Sequence, residues 1–243
     1  MAANIREKKG NIFTTQCEAI TITVNCEGFM GAGIALEGKL RWPDMFAHYQ
    51  SKCTEGYEPG ELIWWESNDP EQKILCFPTK GSWQQNSLMK FLELGLDALV
   101  NEYRNEGITS IAMPHLGCSH GGLKWAEVFP LIVKKLGGVT DLEVELWEFD
   151  PHAADPHFDD LVDLINNFSA SEIQVRLQLT SRQFDDLTRA IHSQNATNFS
   201  GLQQARGIGE QTLKKIYDYL FRIKPQKDFD FHEPTLPWVD DCA

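Results

Sequence analysis

The chain has 243 residues, of which 42% are hydrophobic and 11% aromatic, enough for one large core or a core with a smaller second domain. Its net charge of −13 argues against broad, non-specific nucleic-acid affinity, because lysine and arginine provide that affinity by neutralising phosphates. No apolar run is long enough to span a bilayer and no signal-peptide core is present, so we predict a soluble, cytoplasmic protein that is not bound to a membrane.

Strand and helix patterns alternate through the first 150 residues. Residues 19–25 form an apolar, β-branched run, which predicts a strand. Residues 87–106 have apolar side chains at intervals of three and four, which predicts an amphipathic helix. The other predicted elements are strands at 4–9, 61–67, 73–78, 108–113 and 143–149 and helices at 34–42, 43–53 and 126–136. This alternation predicts an α/β fold whose largely parallel sheet is covered by helices on both faces.

The composition shifts toward proline, aspartate and histidine at residues 152–160, and we therefore predict a domain boundary there. The predicted domains are residues 1–152 and 153–243. The second is expected to be small and mainly helical, although residues 172–179 alternate in polarity and could form a lone strand. Residues 228–243 are acidic, aromatic and interrupted by prolines, which is typical of a tail that orders on a partner.

A glycine-rich loop follows the strand at residues 19–25. Its glycines, Gly28, Gly31 and Gly33, precede a predicted helix, whose free N–H groups could bind an anion such as a pyrophosphate. The spacing matches neither the dinucleotide fingerprint nor a P-loop, so an ordinary strand-to-helix turn explains the glycines equally well. The functional interpretation is a cradle for a nucleotide diphosphate.

Three predicted strand ends carry further candidate residues. Asn25, Lys80 and the loop at residues 114–122 each directly follow a strand. Ligands of parallel sheets bind at the carboxyl ends of the strands, so we expect these residues to converge on one crevice. The loop LGCSHGG is a second glycine-bordered segment, and two such loops could hold a diphosphate through backbone N–H groups without a metal.

Four stretches together resemble the macrodomain family: KGNI at 9–12, VNCEGFMGAGIAL at 24–36, FPTK at 77–80 and PHLGCSHGGLKW at 114–125. The resemblance covers about the first 150 residues. Within the family, the sequence most resembles the branch of DarG-type DNA ADP-ribosyl glycohydrolases and related terminal ADP-ribose glycohydrolases. It implies a three-layer α/β/α macrodomain that binds ADP-ribose.

The resemblance also implies roles for single residues. Lys80 matches the branch's catalytic lysine, which attacks or stabilises C1 of the distal ribose, whereas a lone lysine after a strand is otherwise usually a surface charge. Some relatives pair this lysine with an aspartate where Gly121 stands here, which favours the DarG-like subtype and leaves the proton donor open. His120, and less so His115, could supply that proton near neutral pH, although such histidines more often hydrogen-bond the backbone.

Two asparagines match family positions. Asn25 corresponds to the residue that contacts the distal ribose or the modified base, and its alternative is a turn-forming asparagine. Asn11 replaces the family's adenine-binding aspartate and could still accept a hydrogen bond through its carbonyl. The complete set of predicted substrate-binding residues is Asn11, Ile12, Asn25, Met30, Gly31, Ala32, Gly33, Ile34, Thr79, Gly117, Cys118, Ser119, Gly121, Gly122 and Leu123.

Residues 202–216 resemble a helix-hairpin-helix element. The turn Gly207-Ile208-Gly209 could direct backbone N–H groups at a nucleic-acid phosphate, with Lys214 and Lys215 adding charge. These lysines belong to a basic stretch, residues 206–227, with six bases and two acids. Contact with a protein and simple helix packing are the alternatives for this turn.

The sequence therefore predicts an antitoxin-like ADP-ribosyl glycohydrolase that removes ADP-ribose from a macromolecule, DNA bases being the leading acceptor. The alternatives are a hydrolase of small derivatives such as ADP-ribose 1″-phosphate or O-acetyl-ADP-ribose, and a non-catalytic module that reads ADP-ribose or binds a toxin. The six cysteines contain no CxxC pair, so no structural metal is expected, and the macrodomain interpretation requires no cofactor. We expect a monomer whose partners are ADP-ribose or ADP-ribosylated DNA and, as a further candidate, a DNA ADP-ribosyltransferase toxin.

Overall fold

The computed structural model describes residues 2–68, 71–194 and 196–223. The predicted acidic tail at 228–243 and the end of the basic stretch, Lys224 and Lys227, lie outside the described residues. Among the helices that are described, none combines the length and apolar content needed to cross a bilayer.

The described strands form one mixed sheet. They are β1 (Ile5–Gly10), β2 (Ala19–Asn25), β3 (Ile63–Asn68), β4 (Glu71–Lys80), β5 (Ser110–Pro114) and β6 (Glu143–Phe149). Their order across the sheet is β1-β6-β5-β2-β4-β3. The pairs β1–β6, β6–β5, β5–β2 and β2–β4 are parallel, and β3 pairs antiparallel with β4 at the edge. The predicted largely parallel sheet is confirmed.

Helices cover both faces of this sheet. The first four are α1 (Gly33–Arg41), α2 (Pro43–Glu55), α3 (Met89–Glu102) and α4 (Trp125–Leu136). Alternate residues of β4 enter different cores: Ile74 packs with Met45 of α2, and Leu75 packs with Leu96 of α3 and Ile132 of α4. Because successive strand residues point to opposite faces, this division gives the predicted three-layer arrangement.

The helix predicted at residues 87–106 is shorter than expected. α3 ends at Glu102, and the chain continues in turns to Gly107, which has a φ of +69°. The apolar periodicity runs past the helix end because Tyr103 is buried and its N–H still bonds to Leu99 O at 3.0 Å.

The described residues after β6 are helical. They form α5 (Pro156–Asn167), α6 (Ala170–Arg176), α7 (Ser181–His192), α8 (Phe199–Gln204), α9 (Glu210–Asp218) and a π-helical turn (Tyr219–Ile223). The alternative of a lone strand at 172–179 is wrong. Ser169 and Glu172 form a reciprocal capping box that starts α6, and Val175 is 78% exposed while Ile173 and Leu177 are buried. Burial at an interval of four is a helical pattern.

The C-terminal helices share a hydrophobic core with α1. Leu36 and Leu40 of α1 belong to the same buried cluster as Leu213 and Ile216 of α9 and Phe199 of α8. The face of α1 away from the sheet is therefore covered by the C-terminal helices. The predicted division at residue 152 stays a prediction, since shared packing does not define a boundary.

Candidate active site

Asn25 and Lys80 lie side by side at the carboxyl ends of β2 and β4. They are register partners in the parallel pair, after a one-residue shift that follows Val24. Beyond them, Cys26 N donates to Gly81 O at 2.9 Å, so the two loops remain joined after the strands end. The sheet topology thus brings together two residues that are 55 positions apart in sequence.

The Asn25 side chain shapes the glycine-rich loop. Its Nδ2 donates to Phe29 O at 2.6 Å, and its Oδ1 accepts from Glu27 N at 2.9 Å and from the Tyr49 hydroxyl at 3.2 Å. The residue is 6% exposed. Asn25 therefore acts as a turn-forming asparagine here, and its contact with a ribose or base stays a prediction.

The Lys80 amine joins β4 to the loop after β5. Its Nζ donates to the backbone oxygen of His120 at 2.9 Å. Partial burial lowers the pKa of Lys80 from its usual value, because desolvation disfavours the charged ammonium. A larger fraction of neutral amine makes this lysine a better nucleophile than an exposed one.

The two glycine loops meet at Gly33. Gly33 has a φ of +55°, and a Cβ added there would lie 3.4 Å from Cδ2 and 3.5 Å from Nε2 of His120. α1 begins at this glycine, and its N-cap, Ala32, makes no side-chain capping bond. The free N–H groups of the first helical turn are therefore available to an anion.

The loop after β5 has room only for glycine at position 121. A Cβ at Gly121 would overlap Gly117 O and Ser87 Oγ, while Ser87 N donates to Gly121 O at 2.8 Å. An aspartate at this position would require the backbone to move. The absence of a carboxylate at residue 121 thus has a steric cause in this chain.

Some predicted substrate-binding residues have no exposed side chain. Met30, Ile12 and Thr79 are buried, at 2%, 8% and 3% exposure of the whole residue, so their contact with a ligand stays a prediction. Ser119 and His120 are exposed on the loop after β5, and Gly31 and Ala32 are exposed at the start of α1. The remaining predicted residues of these two loops, Ile34, Cys118 and Leu123, are partly buried, Gly117 is buried and Gly122 is exposed.

Asn11 is already engaged within the protein. Its Oδ1 accepts from Phe13 N at 3.0 Å, which caps a 3-10 turn at Ile12–Thr14, and its Nδ2 donates to Asp155 Oδ2 at 3.1 Å. One lone pair of the Asn11 side-chain carbonyl oxygen remains free. Adenine recognition by Asn11 would therefore require a hydrogen bond to that lone pair.

Phe149 is an aromatic residue that sequence reasoning missed. It ends β6 in register with Gly10 and is 53% exposed. An exposed ring beside the Gly10–Asn11 turn could stack on a purine. The sequence signal was available, since this residue terminates a predicted strand at the same sheet edge.

His115 is packed rather than free. Its ring stacks on Trp125 at 3.6 Å between centroids with an interplanar angle of 10°. Burial lowers the pKa of His115, while Glu148 and Glu7 oppose that shift. The neutral, stacked imidazole is a structural contact at the end of β5.

A buried charge network connects α1 to the C-terminal helices. Arg41 Nη2 lies 2.6 Å from Glu37 Oε1 and 3.7 Å from Asp155 Oδ2, and all three side chains are less than 10% exposed. The guanidinium also lies over the rings of Phe13 at 4.2 Å and Phe221 at 4.8 Å. This network was not predicted, although Glu37 and Arg41 have the spacing of a helical ion pair.

Of the predicted nucleic-acid residues, Gly207 and Gly209 lie on the turn between α8 and α9, and Lys214 and Lys215 lie on α9. Gly207 has a φ of +94°, and an added Cβ would lie 2.7 Å from the carboxyl carbon of Asp186. Lys214 Nζ pairs with Asp218 at 2.6 Å, and Lys215 Nζ donates to Gln178 O at 2.8 Å. Both amines thus bond to groups of the protein itself. Contact of Gly207, Gly209 and these two lysines with phosphate stays a prediction.

The turn borders a cleft in the C-terminal helices. Its volume is about 640 Å³, and its lining includes Arg182, Arg189, Arg206 and the carboxylates Asp185 and Asp186. Asp186 pairs with Arg189 at 2.7 Å. The mixed charges of this cleft favour neither an anion nor a cation.

Comparisons with known proteins match part of the chain. A model of the Macro domain family matches residues 22–132. The DNA ADP-ribosyl glycohydrolase of Mycobacterium tuberculosis is 34% identical over an alignment of 147 residues, and the match covers 57% of this chain and 40% of that protein. The chain thus spans about two fifths of the length of this curated relative.

Solved structures of related proteins also match part of the chain. The macrodomain of Mycobacterium tuberculosis DarG is 33% identical with a TM-score of 0.57, covering 59% of this chain and 96% of that one. Thermosipho africanus DarTG in complex with ADP-ribose is 31% identical with a TM-score of 0.56, covering 64% of this chain and 44% of that one.

Proposed function

The chain belongs to the macrodomain family, and we propose that it hydrolyses the glycosidic bond between ADP-ribose and a DNA base. One observation carries this proposal: the Lys80 amine, with its lowered pKa, lies between the Asn25 loop and the His120 loop. A relative named DNA ADP-ribosyl glycohydrolase is 34% identical over part of this chain, which supports the proposal. A module that only binds ADP-ribose would not need an amine at this position.

ADP-ribose would bind across the carboxyl ends of the strands. We place the diphosphate at the free N–H groups that start α1 and the distal ribose beside Asn25, with the adenine between Asn11 and Phe149. The two glycine loops would thus hold the diphosphate without a metal ion.

Lys80 would act on C1 of the distal ribose. In this mechanism the neutral amine attacks C1, and the bond from C1 to the base breaks, with its electron pair leaving on the base, which takes a proton from water. Water then adds at C1 and releases ADP-ribose from the amine. The His120 ring lies against Gly33, whereas Lys80 bonds to the His120 backbone oxygen, and we propose the ring as the acid.

Replacing Gly33 with glutamate is expected to abolish measurable ADP-ribose binding. The left-handed φ of +55° strains any side chain, the His120 ring occupies the adjacent space, and a carboxylate would repel the diphosphate. Calorimetry with ADP-ribose measures the loss. Gly138→Glu is the matched control, since a Cβ there meets nothing within 4 Å. Unchanged heat for Gly33→Glu would place the cradle elsewhere.

Two rival functions use the same pocket. A hydrolase of ADP-ribose esters needs no DNA contact, and a reader needs no amine at C1. Incubating the protein with ADP-ribosylated single-stranded DNA, ADP-ribosylated protein and O-acetyl-ADP-ribose distinguishes them. We expect cleavage of the DNA substrate with the largest kcat/KM. Cleavage of the ester alone, or binding without cleavage, would favour a rival.

We propose that the turn at residues 207–209 and the lysines of α9 bind DNA phosphates. Lys214→Gln with Lys215→Gln removes two charges while keeping side-chain hydrogen-bond donors near Asp218 and Gln178. If both lysines contact phosphates, gel-shift affinity for DNA should fall and the log–log salt slope should become shallower by about 2, since each contact contributes roughly 0.9. Lys134→Gln, which removes an exposed charge on α4, is the control and should leave DNA affinity unchanged. Identical affinities of double variant and wild type would remove these lysines from DNA binding.

A partner follows from the chemistry of the substrate. ADP-ribosylated DNA must be made by a DNA ADP-ribosyltransferase, and we propose that this chain reverses the modification made by such a toxin. DNA is modified inside the cell, which supports a cytoplasmic site of action. The partner proposal does not require physical contact between the two proteins.

A further inference from the structure

Two large aromatic side chains are exposed beside the proposed active site. Phe29 is 56% exposed and Trp83 is 53% exposed, and their ring centroids are 5.9 Å apart at an interplanar angle of 52°. Single exposed apolar residues are common on protein surfaces, but two rings in contact form a defined patch. We refer to Phe29 and Trp83 as the aromatic pair.

The aromatic pair is mounted on the two loops that follow Asn25 and Lys80. Asn25 Nδ2 donates to the backbone oxygen of Phe29 at 2.6 Å, and Trp83 N donates to Glu27 Oε2 at 3.1 Å. The loops are also joined by the Cys26–Gly81 bond. These hydrogen bonds hold the backbones of Phe29 and Trp83 on the two loops that follow Asn25 and Lys80.

We propose that the aromatic pair stacks an unpaired nucleobase of the DNA strand that carries the ADP-ribose. This inference rests on the proposed function, because a base must adjoin the bond that Lys80 attacks. Both rings are exposed and are tilted by 52° to each other, so a flat base can stack on one ring while the other ring contacts its edge.

The charge around the aromatic pair favours a base over a phosphate. Glu27 lies between the two loops, and the whole chain has a net charge of −13. Phosphate attraction is therefore weak at this point, and a strand must be held by contacts that do not depend on charge. Base–aromatic stacking meets this requirement and tolerates any base, since every base has a π-face.

The test compares variants of the full chain on an ADP-ribosylated single-stranded oligonucleotide. Phe29→Ala and Trp83→Ala are each expected to raise KM about fivefold or more, because stacking of one base contributes roughly 5- to 150-fold in affinity. Trp83→Phe keeps a stacking face and should restore most of the loss. Phe168→Ala, which removes an exposed ring packed on Arg176, is expected to behave as wild type. A double alanine variant with wild-type KM would overturn the inference.

A second readout does not need cleavage. Stacking on Trp83 should quench tryptophan fluorescence when unmodified single-stranded oligothymidylate is added, and duplex DNA should quench less because its bases are already paired. Trp83→Ala should lose this quenching. If wild type cleaves no DNA but shows quenching that Trp83→Ala loses, the proposed function fails and the aromatic pair stands. If wild type cleaves DNA, and Trp83→Ala keeps both the wild-type KM and the quenching, the proposed role of the aromatic pair is wrong while the proposed function stands.

Discussion

Lys80→Ala is expected to reduce cleavage of ADP-ribosylated DNA about 1,000-fold, corresponding to about 4 kcal/mol of transition-state stabilisation. The physical reason is that the amine acts on C1 of the distal ribose, whereas the diphosphate is held by backbone N–H groups at the start of α1. The loss should therefore appear in kcat, with the affinity for ADP-ribose nearly unchanged. Single-turnover kinetics and calorimetry measure the two quantities separately.

The control and the pH profile sharpen this prediction. Lys90→Ala removes an exposed lysine on α3 and should leave both quantities unchanged. Since burial lowers the pKa of Lys80, a mechanism that uses its neutral amine should show a rate that rises with pH and levels off below the usual lysine value. Activity of Lys80→Ala within about threefold of wild type would exclude the lysine from the mechanism.

Arg41→Ala is expected to destabilise the protein by about 3–5 kcal/mol, because it leaves buried carboxylates without their partner. Arg41 pairs with Glu37 at 2.6 Å and lies 3.7 Å from Asp155, where every side chain is almost fully buried. Burial raises the pKa of Glu37, and Arg41 opposes that shift. Equilibrium denaturation of the full chain measures the change.

Two comparison variants separate charge from packing in this prediction. Glu37→Gln with Arg41→Met removes the pair together and should recover part of the loss, because less uncompensated charge remains buried. Arg104→Ala breaks the exposed pair with Asp141 and should leave the denaturation midpoint nearly unchanged. If Arg41→Ala were as mild as Arg104→Ala, the buried network would not hold α1 to the C-terminal helices.

The sheet and its site edge could be predicted because their signals are local. β2 is rich in apolar and β-branched residues, and its bounds at Ala19–Asn25 match the prediction. The strand-to-loop transitions after β2, β4 and β5 are visible in sequence, and the topology of parallel strands then places Asn25 and Lys80 together. The family resemblance singled out Lys80, since the pattern alone favoured a surface lysine, and its catalytic role stays a prediction.

The unpredicted features arise from contacts between distant segments. The Phe29–Trp83 pair joins two loops, and the Arg41 network joins α1 to residues near 155 and 221. Apart from the local Glu37–Arg41 spacing, these contacts have no periodicity that a sequence window could detect. Residues 172–179 were ambiguous because Ile173, Val175 and Leu177 alternate as a strand does. The capping box at Ser169 and Glu172 was the local signal that identifies the helix.

Mass spectrometry of an ADP-ribosylated single-stranded oligonucleotide after incubation with the protein tests the proposed glycosidic cleavage most directly. Hydrolysis at C1 of the distal ribose should return the oligonucleotide with its base intact and release free ADP-ribose, and Lys80→Ala should leave the modified oligonucleotide unchanged. An oligonucleotide that keeps its full ADP-ribose with the wild-type protein, or that retains a ribose phosphate on the base, would contradict the proposed function.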